Sequence, residues 1–387
     1  MTESQLAKYR EKWREAPRGS DMDGRVFSTD LLALPDGELL AAWQAMAGRR
    51  YAGEIGWLGP LYADSFRDKR VLEVGSGLGF DGLGFAGQGA SWTFADIVPD
   101  NLSVIRRVAG LKGLEGRTRF HLIGDELSFA GLPDGYDAIW VFGSIHHVPF
   151  EIARREALDA LGHLKPGGRW MELVYPRERW LREGAPPFDQ WGKLTDGEHT
   201  PWAEWHNLEK VRRRLFPAPL RTVLDFGFCA DNYRWLDLRY AAERPFRLAD
   251  FDLKALSASC DLLMEPIVRE GGRAGLWGNS FSCAEGLFAR VASIDLADPF
   301  RRLGNVPGVA VDLEIRVSRG SLGIGLVDAA DAYLPAAEAV VDAGSDTQLV
   351  TLRAVDGERA AKLVFRNLRA GERSAFSLKS AVLHPAT

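Results

Sequence analysis

The chain has 387 residues, of which 46% are apolar and 26% charged, and its formal net charge is −5. A chain of this length suits two or three domains, and its composition excludes a disordered or a fibrous protein. The acidic balance argues against a nucleic-acid-binding protein that relies on a broad positive surface.

The cysteines and the hydropathy pattern indicate where the protein works. The chain has three cysteines, Cys229, Cys260 and Cys283, without the paired spacing of a disulfide framework or a structural zinc site. The first residues contain no apolar signal-peptide core, and nowhere do 18 apolar residues run together. We therefore expect a soluble, cytoplasmic protein that has no structural metal site and does not insert into a membrane, and the need for a catalytic metal is left open.

The first two-thirds of the chain is typical of an α/β protein. Residues 1–65 have helical apolar spacing and are predicted to form a cap or lid. From residue 66 to 241, the apolar segments VLEVG, SWTFADI, TRFHLI, YDAIWVF and GRWMELV alternate with helical stretches. This order predicts a mostly parallel sheet, which TVLDFGF and YRWLDLRY extend as an antiparallel pair.

The last third of the chain has a different pattern. Residues 242–291 are irregular and are predicted to connect two domains. Residues 292–387 contain short alternating strands separated by turn residues, with no long helix between them. We expect a separate all-β sandwich of jelly-roll type there.

A glycine-rich segment after the first predicted strand is the most informative motif. The strand Val71 to Val74 runs into Gly75, Gly77 and Gly79, which let the backbone pass close to a ligand at a helix N-terminus. Dinucleotide-binding folds place a third glycine where this chain has Phe80. The spacing therefore disfavours a dinucleotide oxidoreductase.

This segment, EVGSGLG, resembles the cofactor loop of the class I S-adenosylmethionine-dependent methyltransferases. The order of the strands around it, and the Pro-Gly-Gly turn before the fifth strand, extend the resemblance over residues 70–174. The resemblance implies a Rossmann-like seven-stranded sheet and S-adenosylmethionine as the cofactor. It places Glu73, Gly75, Ser76, Gly77 and Gly79 in the cofactor site.

The same resemblance assigns the ends of the next three strands. Asp96 is expected to accept hydrogen bonds from the ribose hydroxyls, and Ile97 to pack on the adenine. Asp125 is expected to meet the adenine amino group, with Glu126 beside it as the alternative. Gly143 belongs to the loop that faces the donor methyl group.

Two histidines follow this loop and are the candidate catalytic residues. Methyl transfer to a hydroxyl requires an aligned nucleophile and a group that removes its proton. Histidine suits that role near neutral pH. His147 is the preferred base and His146 the alternative, since His146 lies nearer the buried strand.

A polar and aromatic segment after the fifth strand is the candidate acceptor site. Six of the 12 tryptophans of the chain fall between residues 170 and 235, and several of these are as well explained by core packing. An exposed tryptophan beside carboxylates and histidines is typical of a sugar-binding site. The candidate substrate-binding residues are Tyr175, Trp191, His199, Trp202, Glu204, Trp205 and His206, and Glu172 is adjacent to them.

The sequence therefore predicts a methyltransferase that O-methylates a hydroxyl of a sugar, a glycan or a glycosylated metabolite. One alternative is transfer to a small-molecule amine, phenol or carbon nucleophile. Another is a non-catalytic glycan-binding or assembly protein, in which the β-sandwich acts and the core is vestigial. The sandwich is similar in texture to carbohydrate-binding modules. No nucleic-acid partner is expected, and the oligomeric state is left open.

Overall fold

The computed structural model describes residues 3–18, 24–247, 259–265, 267–269, 273–274, 280–282, 286–303, 308–355 and 357–386. They divide into two compact units, residues 1–250 and 251–387. No helix among the described residues is long and apolar enough to cross a membrane.

The first unit begins with helices and a small hairpin that precede the main sheet. Their hydrophobic residues, Trp43 and Met46 among them, pack into one core with the first strands of the main sheet. The elements are α1 (Glu3–Trp13), β1 (Glu15–Pro17), β2 (Arg25–Phe27), α2 (Ser28–Ala33), α3 (Asp36–Ala52) and α4 (Leu58–Phe66).

The main sheet has seven strands in the order β5-β4-β3-β6-β7-β9-β8. Strands β3 to β7 are parallel, and β9 and β8 add an antiparallel pair at one edge. The predicted mostly parallel seven-stranded sheet is thus confirmed. The strands are β3 (Arg70–Val74), β4 (Ser91–Asp96), β5 (Thr118–Leu122), β6 (Tyr136–Phe142), β7 (Leu164–Val174), β8 (Leu220–Phe228) and β9 (Tyr233–Tyr240).

Helices cover the central strands, which explains why those strands are apolar on both faces. Trp92 in β4 and Trp140 in β6 are buried, as expected for strands enclosed between two helical layers. The helices are α5 (Phe80–Gly87), α6 (Pro99–Leu111), α7 (Phe150–Gly162), α8 (Arg177–Arg182), α9 (Phe188–Asp196) and α10 (Leu208–Leu215).

The second unit consists of two antiparallel sheets with a common hydrophobic core. One contains β11, β14, β19, β16 and β17, and the other contains β10, β12, β13, β20, β15 and β18. Its elements are β10 (Cys260–Asp261), β11 (Ile267–Arg269), β12 (Arg273–Ala274), β13 (Ser280–Ser282), β14 (Arg290–Asp295), α11 (Ala297–Leu303), β15 (Val309–Arg319), β16 (Ser321–Val327), β17 (Tyr333–Asp342), β18 (Gln348–Ala354), β19 (Lys362–Asn367) and β20 (Ala375–Pro385).

The boundary of the second unit differs from the predicted one. Short strands from Cys260 onward already pair with its two sheets, so the predicted connecting region 242–291 is divided between the units. These strands have two or three residues each, too few to show an alternating pattern in the sequence. The jelly-roll type and the carbohydrate-binding resemblance stay predictions.

Candidate active site

A cavity of about 730 Å³ opens at the carboxyl ends of β3, β4, β6 and β7. Ligand sites in open α/β sheets lie at this edge, and the volume is within the range of about 300–1,000 Å³ typical of ligand pockets. Residues from α1, from the loop after β3 and from the segment after β7 line it together.

The loop after β3 forms one wall of the cavity. Gly75, Gly77 and Gly79 have φ values of +73°, +52° and +68°, which favour glycine. A Cβ atom at Gly75 would lie 2.2 Å from the Ser144 Cβ atom, whereas one at Gly77 would meet no atom within 4 Å. The loop therefore leaves open space above Gly77 for a ligand.

Three of the glycine and serine residues of this loop line the cavity, whereas Gly79 has a role in packing. Gly75, Ser76 and Gly77 line the cavity, as predicted for a cofactor loop. Gly79 does not line it, and a Cβ atom there would lie 2.9 Å from Ile105. Gly79 instead allows the loop to enter α5 against α6.

Asp96 ends β4 with its carboxylate directed at the loop. Its Oδ2 accepts a hydrogen bond from the Gly77 N–H at 2.8 Å, and its Oδ1 accepts one from the Val98 N–H at 2.8 Å. Burial raises the pKa of Asp96 to about 6, although these backbone hydrogen bonds act in the opposite direction. Asp96 and Ile97 both line the cavity, where the ribose and the adenine were expected.

Glu73 lies beneath the loop and is also buried. Its carboxylate accepts a hydrogen bond of 2.6 Å from the indole N–H of Trp92. Burial, with the nearby charge of Asp81, raises the pKa of Glu73 well above its ordinary value. Asp81 is in turn held by an ion pair with Arg50, and all three charged residues line the cavity.

The contact of Asp125, or of Glu126 as the alternative, with adenine stays a prediction, and the structure does not place either residue in the cavity wall. Both residues are exposed and neither lines the cavity. Asp125 forms an ion pair of 3.0 Å with Arg10 of α1, which turns its carboxylate outward. Ile123 and Leu127 line the cavity at this point instead.

Helix α1 belongs to the predicted cap and contributes to the wall of the cavity. Leu6, Tyr9 and Trp13 line the cavity from this helix. Arg10 fixes the helix to the sheet edge, because its Nε donates to the Ile97 carbonyl at 3.0 Å.

The two histidines lie in a short 3-10 turn, Ile145–His147, after β6. His147 lines the cavity, and its ring centre lies 4.6 Å from that of Trp13. Its Nδ1 donates to the Trp202 carbonyl at 3.2 Å, so in the neutral ring the lone pair is on Nε2.

His146 has a different environment. It is fully buried and does not line the cavity, and neither ring nitrogen has a hydrogen-bond partner among the described residues. Burial, with the nearby charges of His147 and Arg214, lowers the pKa of His146 well below its ordinary value. Of the two predicted bases, the structure places His147 in the cavity and not His146.

Asp196, at the end of α9, is a cavity residue that the sequence analysis did not identify. Its Oδ2 lies 3.8 Å from His147 Nε2, and its carboxylate accepts hydrogen bonds from the Tyr175 hydroxyl at 3.2 Å and from Arg25 at 3.1 Å. Burial acts to raise the pKa of Asp196, but His147, Thr195, Arg25 and Tyr175 together hold it below its ordinary value. The cavity therefore contains a carboxylate next to the imidazole.

Most of the predicted acceptor-binding residues do not line this cavity. Trp191 is fully buried, and its indole N–H donates to Glu183 at 2.6 Å. Glu204 forms an ion pair of 2.6 Å with Lys210, and Glu172 forms a fully buried one with Arg214. The residues outside the cavity are Glu172, Trp191, His199, Trp202, Glu204, Trp205 and His206.

The residue types of this set are visible in the sequence, but the directions in which their side chains point are not. Trp191 packs with Tyr175 and Ala203, and His206 is fully buried with its Nδ1 donating to the Glu204 carbonyl at 3.0 Å. Only Tyr175 of the predicted set lines the cavity, where Arg179, Glu183, Asn232 and Tyr233 accompany it. Among the described residues, no group of three or more His, Cys, Asp or Glu side chains is placed to hold a metal ion.

Comparison with known families identifies the part of the chain that builds this edge. Residues 71–168 match the family model described as "Methyltransferase domain". These residues are therefore similar to methyltransferase domains, and over them the predicted resemblance to methyltransferases is confirmed.

The curated relatives also match about a quarter of the chain. The "Ubiquinone biosynthesis O-methyltransferase" of Xylella fastidiosa strain M23 is 39% identical over 106 residues, or 27% of this chain and 41% of the relative. The same-named protein of strain 9a5c is 39% identical over 101 residues, or 26% of this chain and 39% of the relative. The chain thus spans about two-fifths of the length of the curated relatives it matches.

Two solved structures are also similar. An O-methyltransferase family protein from Burkholderia thailandensis is 17% identical, with a TM-score of 0.40 over 56% of this chain and 63% of that one. The N-methyltransferase NodS from Bradyrhizobium japonicum WM9, solved with S-adenosyl-l-homocysteine, is 18% identical, with a TM-score of 0.36 over 49% of this chain and 88% of that one.

Proposed function

We propose that the protein transfers a methyl group from S-adenosylmethionine to a hydroxyl of a small acceptor, with His147 as the general base. The observation that carries this proposal is that the His147–Asp196 pair and the glycine loop line the same cavity. The similarity of residues 71–168 to methyltransferase domains supports the reaction class.

The cavity fits the cofactor at the loop end. The open space above Gly77 admits a ligand close to the backbone, and the Asp96 carboxylate suits the ribose hydroxyls. Ile97, Ile123 and Leu127 offer an apolar surface for the adenine. When bound, S-adenosylmethionine supplies an electrophilic methyl group on a positively charged sulfur, which the nearby carboxylates favour.

The residues after β6 and β7 would carry the proton transfer. An acceptor oxygen attacks the methyl carbon while its proton passes to Nε2 of His147, so the O–H and S–C bonds break as the O–C bond forms. The resulting imidazolium has its positive charge 3.8 Å from the Asp196 carboxylate. Asp196 thus stabilises the protonated base and, through Tyr175 and Arg25, is itself held in place.

The lining of the cavity fits an acceptor with an aromatic hydroxyl better than the predicted acceptor with a sugar hydroxyl. That prediction combined a histidine base and an appended β-sandwich with a tryptophan-rich acceptor region, and Trp191, Trp202 and Trp205 of that region lie outside the cavity. The rings of Trp13 and Tyr175 line the cavity next to His147, and the ring of Tyr233 lines it next to Tyr175. Flat rings stack well on aromatic side chains, which supports a planar phenolic acceptor.

Calorimetry and single-turnover kinetics test the proposal. The protein should bind S-adenosylhomocysteine, and His147→Ala should slow methyl transfer to a phenolic acceptor by about 100- to 10,000-fold with unchanged cofactor affinity. His163→Ala is the matched control, because His163 pairs with Asp134 and does not line the cavity. Near-normal transfer by His147→Ala would exclude His147 as the base and favour an amine acceptor.

A further inference from the structure

Arg179 lies at the acceptor end of the cavity and has no role in the mechanism above. It belongs to α8 and lines the cavity. Its guanidinium carbon lies 4.3 Å from the centre of the Tyr175 ring and 5.9 Å from that of Tyr233. Two aromatic rings therefore fix the plane and position of this cation.

The hydrogen-bonding capacity of Arg179 is only partly used. Its Nε donates to Glu183 at 3.1 Å, while Nη1 is buried and has no hydrogen-bond partner among the described residues. Glu183 is thus the ion-pair partner of Arg179 through Nε, and its second oxygen accepts a hydrogen bond from the Trp191 indole at 2.6 Å. A buried donor without a partner is unfavourable, so a ligand atom that accepts a hydrogen bond from Arg179 Nη1 would be stabilised here.

Asn232 provides a second donor at the same end of the cavity. Its side-chain oxygen accepts a hydrogen bond of 2.6 Å from Arg182. The group that this amide can still offer to a ligand is therefore its NH₂. Asn232, like Arg179, lines the cavity.

We infer that Arg179 and Asn232 bind an anionic oxygen group of the acceptor, a carboxylate on an aromatic ring. Tyr175 relates this site to the reaction, because its ring has the His147 imidazole at 5.8 Å and the Arg179 guanidinium at 4.3 Å. One planar acceptor lying along Tyr175 can then present a hydroxyl to His147 and a carboxylate to Arg179. This inference rests on the proposed function, which it extends from a phenol to a phenolic acid.

Binding to the 387-residue chain saturated with S-adenosylhomocysteine tests the inference without requiring turnover. The probes are 4-hydroxybenzoate, 3,4-dihydroxybenzoate and 4-hydroxycinnamate, each compared by calorimetry with its methyl ester. The wild-type protein should bind at least one acid about 10- to 100-fold more tightly than its ester, because the ester cannot form the charged pair.

Three variants locate the preference. Arg179→Gln should abolish it by weakening acid binding more than ester binding, and Arg179→Lys should retain part of it, since lysine keeps the charge but loses the planar fork. Arg234→Gln is the control and should keep the preference, because Arg234 pairs with Asp225 and does not line the cavity. Thermal melting establishes that each variant is folded.

The two proposals fail in different ways. If no acid binds more tightly than its ester, or if Arg179→Gln keeps the preference, the inference about Arg179 is overturned while cofactor binding stands. If S-adenosylhomocysteine does not bind, the proposed function fails. The same titrations on the protein without cofactor then decide whether Arg179 binds carboxylates.

Discussion

Replacing Asp196 with asparagine should slow methyl transfer by about 10- to 100-fold, because it removes the charge that stabilises protonated His147. Two unit charges 3.8 Å apart interact by about 4 kcal/mol at an effective dielectric constant of about 20. Arg25 contacts the same carboxylate at 3.1 Å and cancels part of this interaction. A net loss of about 1.4 to 2.7 kcal/mol corresponds to the expected rate change.

Single-turnover kinetics with saturating cofactor would measure this effect apart from substrate binding. Asparagine keeps the shape of the side chain and an oxygen for Tyr175 or Arg25, so the fold should survive. Asp225→Asn is the matched control, since Asp225 pairs with Arg234 and does not line the cavity.

A double-mutant cycle with His147→Ala tests whether Asp196 acts through the histidine. In the His147→Ala background, Asp196→Asn should have little further effect, because no imidazolium is formed there. An equal loss in both backgrounds would show that Asp196 acts independently of His147. Wild-type turnover by Asp196→Asn would refute the electrostatic reasoning itself.

Two of the three further predictions concern cofactor binding, and the third concerns Glu156, a buried residue that lines the cavity. Gly77→Val should abolish S-adenosylhomocysteine binding in calorimetry, whereas Gly113→Val, at a similar φ of +65° but outside the cavity, should not. Asp96→Asn should weaken cofactor binding by about 1 to 3 kcal/mol at pH 8. In the wild-type protein, cofactor affinity should decrease when the pH is lowered below about 6, because Asp96 then becomes protonated. An unchanged cofactor affinity at pH 5 would contradict the role of Asp96 in ribose binding. Burial raises the pKa of Glu156 to about 7, so its contribution to stability is fully present below its unfolded pKa of about 4.3 and is lost as the pH rises through 7. Glu156→Gln should therefore raise the melting temperature over wild type at pH 8 but not at pH 4.5, and an equal difference at both values would argue against this ionisation.

The parts of the site that were predictable depend on short segments of sequence. Gly75 and Gly77 follow one buried parallel strand and Asp96 ends the next one, and the carboxyl ends of such strands must meet at one edge of the sheet. Their proximity follows from that topology alone. His147 was identified for the same reason, since it follows the next strand in the sheet.

The parts that the structure places elsewhere, or that the sequence did not indicate, depend on contacts between distant segments. Asp125 was assigned to adenine, but Arg10, 115 positions earlier in the chain, binds its carboxylate. Trp191 has the residue type of a sugar-binding site, yet nothing local indicates that it is fully buried. Asp196 and Arg179 belong to no motif, and only the packing of α8 and α9 brings them to Tyr175.

The position of α1 in the wall of the cavity bears on how the protein should be produced. A purification tag fused ahead of Glu3 is attached to the helix that contributes Tyr9 and Trp13 to the cavity wall. A tag at the other end of the chain is attached to the second unit, which has a hydrophobic core of its own. Preparations for kinetics should therefore carry a C-terminal tag, or an N-terminal tag that is removed before the assay.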